Sequence, residues 1–277
     1  MTLGGELREA IEADQLFLVY QPQVGLENCH VCGVEALVRW NHPTRGLLGP
    51  YLFIPLAEQT GLIAKLGEWV LWTACRQAKL WLDAGIMPRR MCVNLSALQF
   101  RAPFAVEADI LAALAATGLP PERLELELTE SVLISGSREV GEVLSRLHLA
   151  GVGIAIDDFG TGYSSIEYLR RFPVDRIKIA QNFVRRLETS PRDAAIVKAT
   201  IGLARALGVQ AIAEGVEVKE QFDILKAWRC PEVQGYYFAR PLTAEVLVPL
   251  LTAGGRLKPR ETPDDAECNL AASGASS

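Results

Sequence analysis

Seven apolar runs in this chain end in, or are broken by, a polar side chain that could do chemistry: Glu35, Asn94, Glu127, Asp157 with Asp158, Lys178, Glu214 and Gln234. Five of these residues are carboxylic acids. Buried carboxylates are costly unless paired or bound to metal, so five that met at one rim would repel strongly. A pair of divalent cations relieves that repulsion. Carboxylate oxygens and the side-chain carbonyl of Asn94 are hard donors of the kind Mg2+ and Mn2+ take. The chemistry such a site supports is hydrolysis by metal-activated water. One acid at a strand end is ordinarily a helix cap or a solvated rim residue. Seven strand ends in register argue instead for a shared site. Lys178 has two readings, a counter-ion for the acids or the group that holds and polarises the attacking water. The run from Asp157 to Ser165 adds two adjacent acids that can take one metal each or bridge two. Gly160 and Gly162 allow a tight loop there, and Ser164 reads equally well as a helix cap. Arg39 could hold a phosphate through both its amino groups or simply pair with a rim acid.

The elements that must carry these residues follow from periodicity. A strand from Leu16 to about Pro22 and a second from Val31 to Val38 are joined by a turn too short for a crossover helix, so they are antiparallel. A long helical region follows Ile54-Pro55 and runs through Leu80, closed by Gly85 and Pro88. Strands are then expected at 91–95, 123–128, 153–156, 176–179, 209–213 and 232–238. Helices are expected at 106–116, 138–150, 164–170, 193–207, 218–227 and 243–251. About eight strands with regular β-then-α alternation predict an α/β fold, a TIM-like (βα)8 barrel with an antiparallel first strand. Barrels of this kind build their sites at the carboxyl ends of the strands, where the polar residues fall. The barrel is expected to occupy residues 1–253 as one domain. The Pro-, Asp-, Ala-, Gly- and Ser-rich stretch 254–277 reads as a disordered tail.

Composition narrows the partners. Of 277 residues, 49% are hydrophobic and 22% charged, enough apolar material for a large core. A net charge of −5 argues against a nucleic-acid polymer as partner, which needs clustered Lys and Arg. Six irregularly spaced cysteines suit a reducing cytoplasm, and Cys29-His30-Val31-Cys32 reads as a hairpin turn. The polar start, Met1 to Asp14, is no signal peptide, and no apolar run is long enough for direct membrane insertion.

Val34-Glu35-Ala36-Leu37-Val38-Arg39-Trp40 resembles the Glu-Ala-Leu signature of EAL-domain cyclic di-GMP phosphodiesterases. The resemblance continues at Tyr20-Gln21-Pro22, Phe53–Glu58, Val93–Ser96, Glu127–Ser131, Asp157–Ser165, Ala213–Glu217 and Gln234-Gly235-Tyr236, and covers nearly everything from Arg8 to Leu251. It implies a modified barrel with an antiparallel first hairpin and hydrolysis of cyclic di-GMP to linear pGpG. It implies that Glu35, Asn94, Glu127 and Asp157 hold one Mg2+ or Mn2+, and that Asp157, Asp158 and Glu214 hold a second. By the same resemblance Lys178 positions the nucleophilic water, Gln234 assists, and Glu130 anchors the loop after Asp158. Gln21, Leu37 and Arg39 contact the substrate, and the chain forms a homodimer. Relatives often carry sensory or cyclase domains, so the chain is expected to be a domain of a larger, membrane-anchored or multidomain protein. One departure stands out: the family has an acid two positions after the lysine, where this chain has Ala180. That loss favours an alternative, a receptor that binds cyclic di-GMP but cuts it weakly. A Schiff-base lyase using Lys178 is disfavoured, because a ring of carboxylates keeps the amine protonated.

Overall fold

The structure, a computed structural model, describes residues 3–134, 137–161 and 166–259. Among them are nine strands: β1 (Leu16–Gly25), β2 (Val31–His42), β3 (Gly46–Leu48), β4 (Arg90–Leu95), β5 (Leu124–Thr129), β6 (Gly153–Phe159), β7 (Arg176–Ile179), β8 (Gln210–Glu214) and β9 (Glu232–Gln234). Their order is β1-β9-β8-β7-β6-β5-β4-β2, closed by β1 against β2, with the short β3 attached to the far end of β2. Neighbours from β2 through β4 to β9 run parallel. Only β1 is reversed in the ring, antiparallel to both β2 and β9. The expected eight-stranded α/β barrel with an antiparallel first strand is therefore present.

The helices are α1 (Leu3–Glu12), α2 (Pro50–Thr60), α3 (Ile63–Asp83), α4 (Pro103–Thr117), α5 (Glu130–Ile134), α6 (Arg138–Leu149), α7 (Ile166–Arg171), α8 (Gln181–Val184), α9 (Pro191–Leu207), α10 (Lys219–Ala227) and α11 (Ala244–Thr252). Strand periodicity sorts the side chains between two environments. On β5, Leu124, Leu126 and Leu128 join the buried apolar cluster, whereas Glu125 and Glu127 bond to polar residues of other strands. The same alternation sets Ile177 and Ile179 against Arg176 and Lys178 on β7. A standard barrel fills its lumen with branched apolar side chains. Here the lumen is lined by buried Gln21, Gln23, Glu35, Arg90, Glu125, Glu127, Arg176, Lys178, Glu232 and Gln234.

Several boundaries differ from the sequence expectation, each for a local reason. The long helix after Ile54 is two helices, because Gly61 adopts φ 73° and its N–H turns back to Glu58 O. The strand expected to reach Phe238 stops at Gln234. A Cβ on Gly235 would lie 2.1 Å from Val216 O, and the chain there turns so that Tyr237 N–H donates to that same oxygen at 2.9 Å. β6 runs on through Asp157 and Asp158 to Phe159. Helices α1, α5 and α8 and strand β3 were not anticipated. The first residues of the stretch expected as a tail from Gly254 are folded onto the barrel. Val31 N–H donates to Gly255 O, Leu257 N–H donates to Cys29 O, and Leu257 is buried. Residues 260–277 lie outside the described residues, as does the proposed cap Ser164. Cys29 sits in the β1–β2 turn at φ 57°, and Cys29 and Cys32 are free thiols.

Candidate active site

Lys178 occupies the centre of the carboxyl end of the barrel and is 1% exposed. Its Nζ lies 2.6 Å from Glu127 Oε2, 2.8 Å from Glu214 Oε1, 3.2 Å from Asp157 Oδ1 and 3.7 Å from Glu35 Oε2. Four strands, β2, β5, β6 and β8, thus deliver an acid to one amine delivered by β7. Glu35 is fixed further by Asn94 Nδ2, which donates to Oε1 at 2.6 Å, and by Gln234 Nε2, which donates to Oε2 at 2.5 Å. Register accounts for these meetings: Asn94 is level with Glu127, Gln21 with Glu35, and Glu214 with Gln234. Gln234 Nε2 also donates to Gln21 Oε1 at 3.1 Å, and Gln21 Nε2 donates to Ala239 O at 3.2 Å.

Asp158 stands at φ 53°, a left-handed conformation unusual for a residue with a Cβ. That turn brings its carboxylate near those of Asp157 and Glu214, where one oxygen from each lies within 4.8 Å of the others. The loop that follows is tied down by Glu130, whose Oε1 accepts from Gly160 N–H at 2.8 Å. Above the acids lies a cleft of about 260 Å³, lined among others by Gln21, Glu35, Leu37, Lys178 and Tyr236. Arg39 is half-buried and donates to Val38 O at 2.8 Å, and it is not among the residues lining that cleft. Ala180 is buried and opens α8 without a side-chain cap.

The electrostatics follow from five carboxylates around one ammonium. Burial would depress the Lys178 amine, but Asp157, Glu127, Glu214 and Glu35 hold it well above the ordinary lysine range. It is a charged ammonium, which removes the amine lone pair a Schiff base needs. Burial and the Glu35 charge push the Glu127 carboxyl well up. Burial pushes Glu214 up to about 8, with Asp157 and Glu35 adding to the rise against the pull of Lys178. Asp158 is raised by burial and by Asp157. Glu35 goes the other way: burial opposes ionisation, but Lys178 and the amides of Gln234 and Asn94 outweigh it. The ring therefore carries more acid than its one amine can neutralise. The donor set fits divalent metal: hard oxygens predominate, and Gln234 Oε1 is buried without a hydrogen-bond partner among the described residues.

Several residues of the site were not singled out from sequence. Gln23 donates to Glu127 Oε1 at 3.3 Å. Gln181, Arg185, Glu217 and Tyr236 line the cleft, and Arg185 Nη2 donates to Glu217 Oε1 at 3.0 Å. Gln23 could have been found, since it lies two residues from Gln21 on the same face of β1. Glu217 closes the Ala213–Glu217 motif without a role assigned to it there, and Arg185 carries no signal, being a surface charge until the fold opposes it to Glu217.

A family model described as EAL domain matches residues 5–241. The chain is 47% identical over 243 residues to the bifunctional diguanylate cyclase/cyclic di-GMP phosphodiesterase MucR of Pseudomonas aeruginosa, covering 88% of this chain and 35% of that protein. It is 44% identical over 248 residues to the cyclic di-GMP phosphodiesterase NbdA of the same organism, covering 90% of this chain and 32% of that one. The chain thus spans about a third of the length of these curated relatives. The solved PaMucR phosphodiesterase in complex with c-di-GMP superposes with a TM-score of 0.85 at 46% identity, covering 89% of this chain and all of that one. The EAL domain of Mycobacterium smegmatis DcpA superposes at 0.74 with 32% identity over 89% of this chain and 99% of that chain.

Proposed function

The chain belongs to the EAL domain family, and on that footing we propose that it hydrolyses cyclic di-GMP to linear pGpG with two bound divalent cations, Mg2+ or Mn2+. The observation that carries the reading is the ring around Lys178. Five carboxylates face one ammonium, and with all five ionised the surplus of four negative charges equals the charge of two divalent cations. Glu35, Asn94, Glu127 and Asp157 would hold one cation; Asp157, Asp158 and Glu214 would hold the other. When bound, the cations would acidify an attacking water and offset charge on the phosphate. The chain's own side chains do the rest. Lys178, kept protonated by its neighbours, donates hydrogen bonds that hold the water for in-line attack. Gln234, tied to Glu35 and Gln21, keeps Glu35 ionised and oriented. Glu130 holds the Asp158 loop in place through Gly160.

Gln21 and Leu37 would contact the dinucleotide within the cleft. Arg39 would reach its phosphate from the rim after releasing the Val38 carbonyl. Tyr236, whose ring lines the cleft and carries the Arg240 guanidinium 4.5 Å from its centroid, offers a surface for a base to stack on. The catalytic unit would be one barrel domain, residues 1–253, with the 254–257 segment folded onto it. No helix among the described residues is long and apolar enough to cross a membrane. The free cysteines fit a cytoplasmic location. A homodimer is proposed from the family resemblance alone, and sedimentation tests it.

Incubating the chain with cyclic di-GMP and Mg2+ or Mn2+ and separating the products tests the reading. Accumulation of pGpG is expected. Tight binding with no product in either metal would favour the receptor reading, which Ala180 specifically supports.

A further inference from the structure

Beneath the carboxylate ring, the barrel lumen holds a second buried polar layer. Arg90 pairs with Glu232 and has its Nε 3.6 Å from Glu125. Arg176 donates to Glu232 at 2.9 Å and lies 3.6 Å from Glu125. Gln23, fully buried on β1, touches both layers. Its Oε1 faces three donors: Arg90 Nη2 at 3.3 Å, Cys92 Sγ at 3.4 Å and Arg176 Nη1 at 3.5 Å. Its Nε2 donates upward to Glu127 Oε1 at 3.3 Å.

This orientation has no workable inverse. Turning the amide over would aim an NH2 group at two guanidiniums and a carbonyl at a carboxylate. The two arginines therefore fix which end of Gln23 meets Glu127. The space for the contact is made by Gly33, level with Gln23 on β2. A Cβ at Gly33 would lie 2.6 Å from Gln23 Oε1 and 3.0 Å from the Arg90 side chain. With Gln23 on one oxygen and Lys178 on the other, both oxygens of Glu127 are tied to donors.

We infer that Gln23 is a positioning residue for Glu127, aligned by the Arg90–Arg176 pair below it and presenting the carboxylate to the cation site above. The inference rests on Glu127 being a metal ligand. Hydrogen-bond partners behind a ligand orient it, and their loss lowers metal affinity by about 10–100-fold.

The test is Mn2+ affinity, read from the free-ion paramagnetic resonance signal, for the native chain and Gln23→Met. Melting of the metal-free proteins reports whether each is folded. The expected result is a loss of about 10–100-fold in affinity in the native background and little further loss in a Glu127→Gln background. Unchanged affinity in folded Gln23→Met, or the same loss in both backgrounds, would overturn the inference. Should Gln23→Met not fold, Gln23→Asn keeps a carbonyl for the arginines but is one methylene too short to reach Glu127 as well. It is expected to show the same loss, and native affinity in that variant would overturn the inference equally. A native chain that binds no Mn2+ would instead defeat the metal reading on which the inference rests.

Discussion

Replacing Lys178 with methionine removes the ammonium that faces four acids while keeping most of the side-chain volume. Two of those contacts are 2.6 and 2.8 Å, and the amine is 1% exposed, so the exposed-pair value of a few tenths of a kcal/mol does not apply. Breaking a buried pair costs about 3–5 kcal/mol, because the remaining charge is stranded. At about 2.1 cal/mol/K per residue, the unfolding entropy of 277 residues turns that into a fall of roughly 5–9 °C in Tm for the metal-free protein. The fall has a signature that ordinary loss of packing lacks. Cations bound to the acids take over the neutralisation, so saturating Mn2+ should shrink the difference between variant and native chain. Paired melting curves in a chelator and in Mn2+ read both numbers. A fall that Mn2+ leaves unchanged would mean that Lys178 is a packing residue and that the charge argument is wrong. Turnover should be lost in the folded, Mn2+-loaded variant, since the group proposed to hold the water is gone.

Three further outcomes are expected. With its pKa raised to about 8 from 4.5, the Glu214 carboxyl is largely protonated at neutral pH in the metal-free site, and a cation must displace that proton. Mn2+ affinity should therefore climb with pH through about 8, with protons released on binding; calorimetry in two buffers of different ionisation enthalpy measures both, and a flat profile contradicts the assignment. Ala180→Asp supplies the acid that the family resemblance implies two positions after the lysine and should raise kcat in a product assay, whereas an unchanged kcat would show that its absence is immaterial. Gly235→Ala would drive a Cβ to 2.1 Å from Val216 O, a backbone atom that cannot step aside. A loss of about 3 kcal/mol or more is expected by thermal melting, and native stability would show that the turn relaxes without cost.

How far the fold could be read depends on which forces were local. β5 is written in alternation, Leu124 to Leu128, and α9 is bounded by the Ser190 cap and Gly208 at φ 73°, so both elements are visible in sequence. α5 and α8 are too short for periodicity to register, and β3 exists only because β2 offers it a partner. The break at Gly61 was hidden because apolar spacing continues across it from Phe53 to Leu66. The upper acids were legible as polar endings of apolar runs. Arg90, Glu125, Arg176 and Glu232 were not, because they sit at strand starts and interiors, where a charge looks like a solvated face until the closed ring turns it inward. Gly33 gave no signal alone; its role appears only when Gln23 and Arg90 occupy the space that a Cβ would fill.

Acids from separate strands are proposed to gather cations at one rim. Anomalous diffraction from crystals soaked in Mn2+ tests that directly. Two peaks are predicted, one among Glu35, Asn94, Glu127 and Asp157 and one among Asp157, Asp158 and Glu214, with Lys178 still beside them. A soaked crystal with no peak at this rim, and those acids still closed around Lys178, would contradict it.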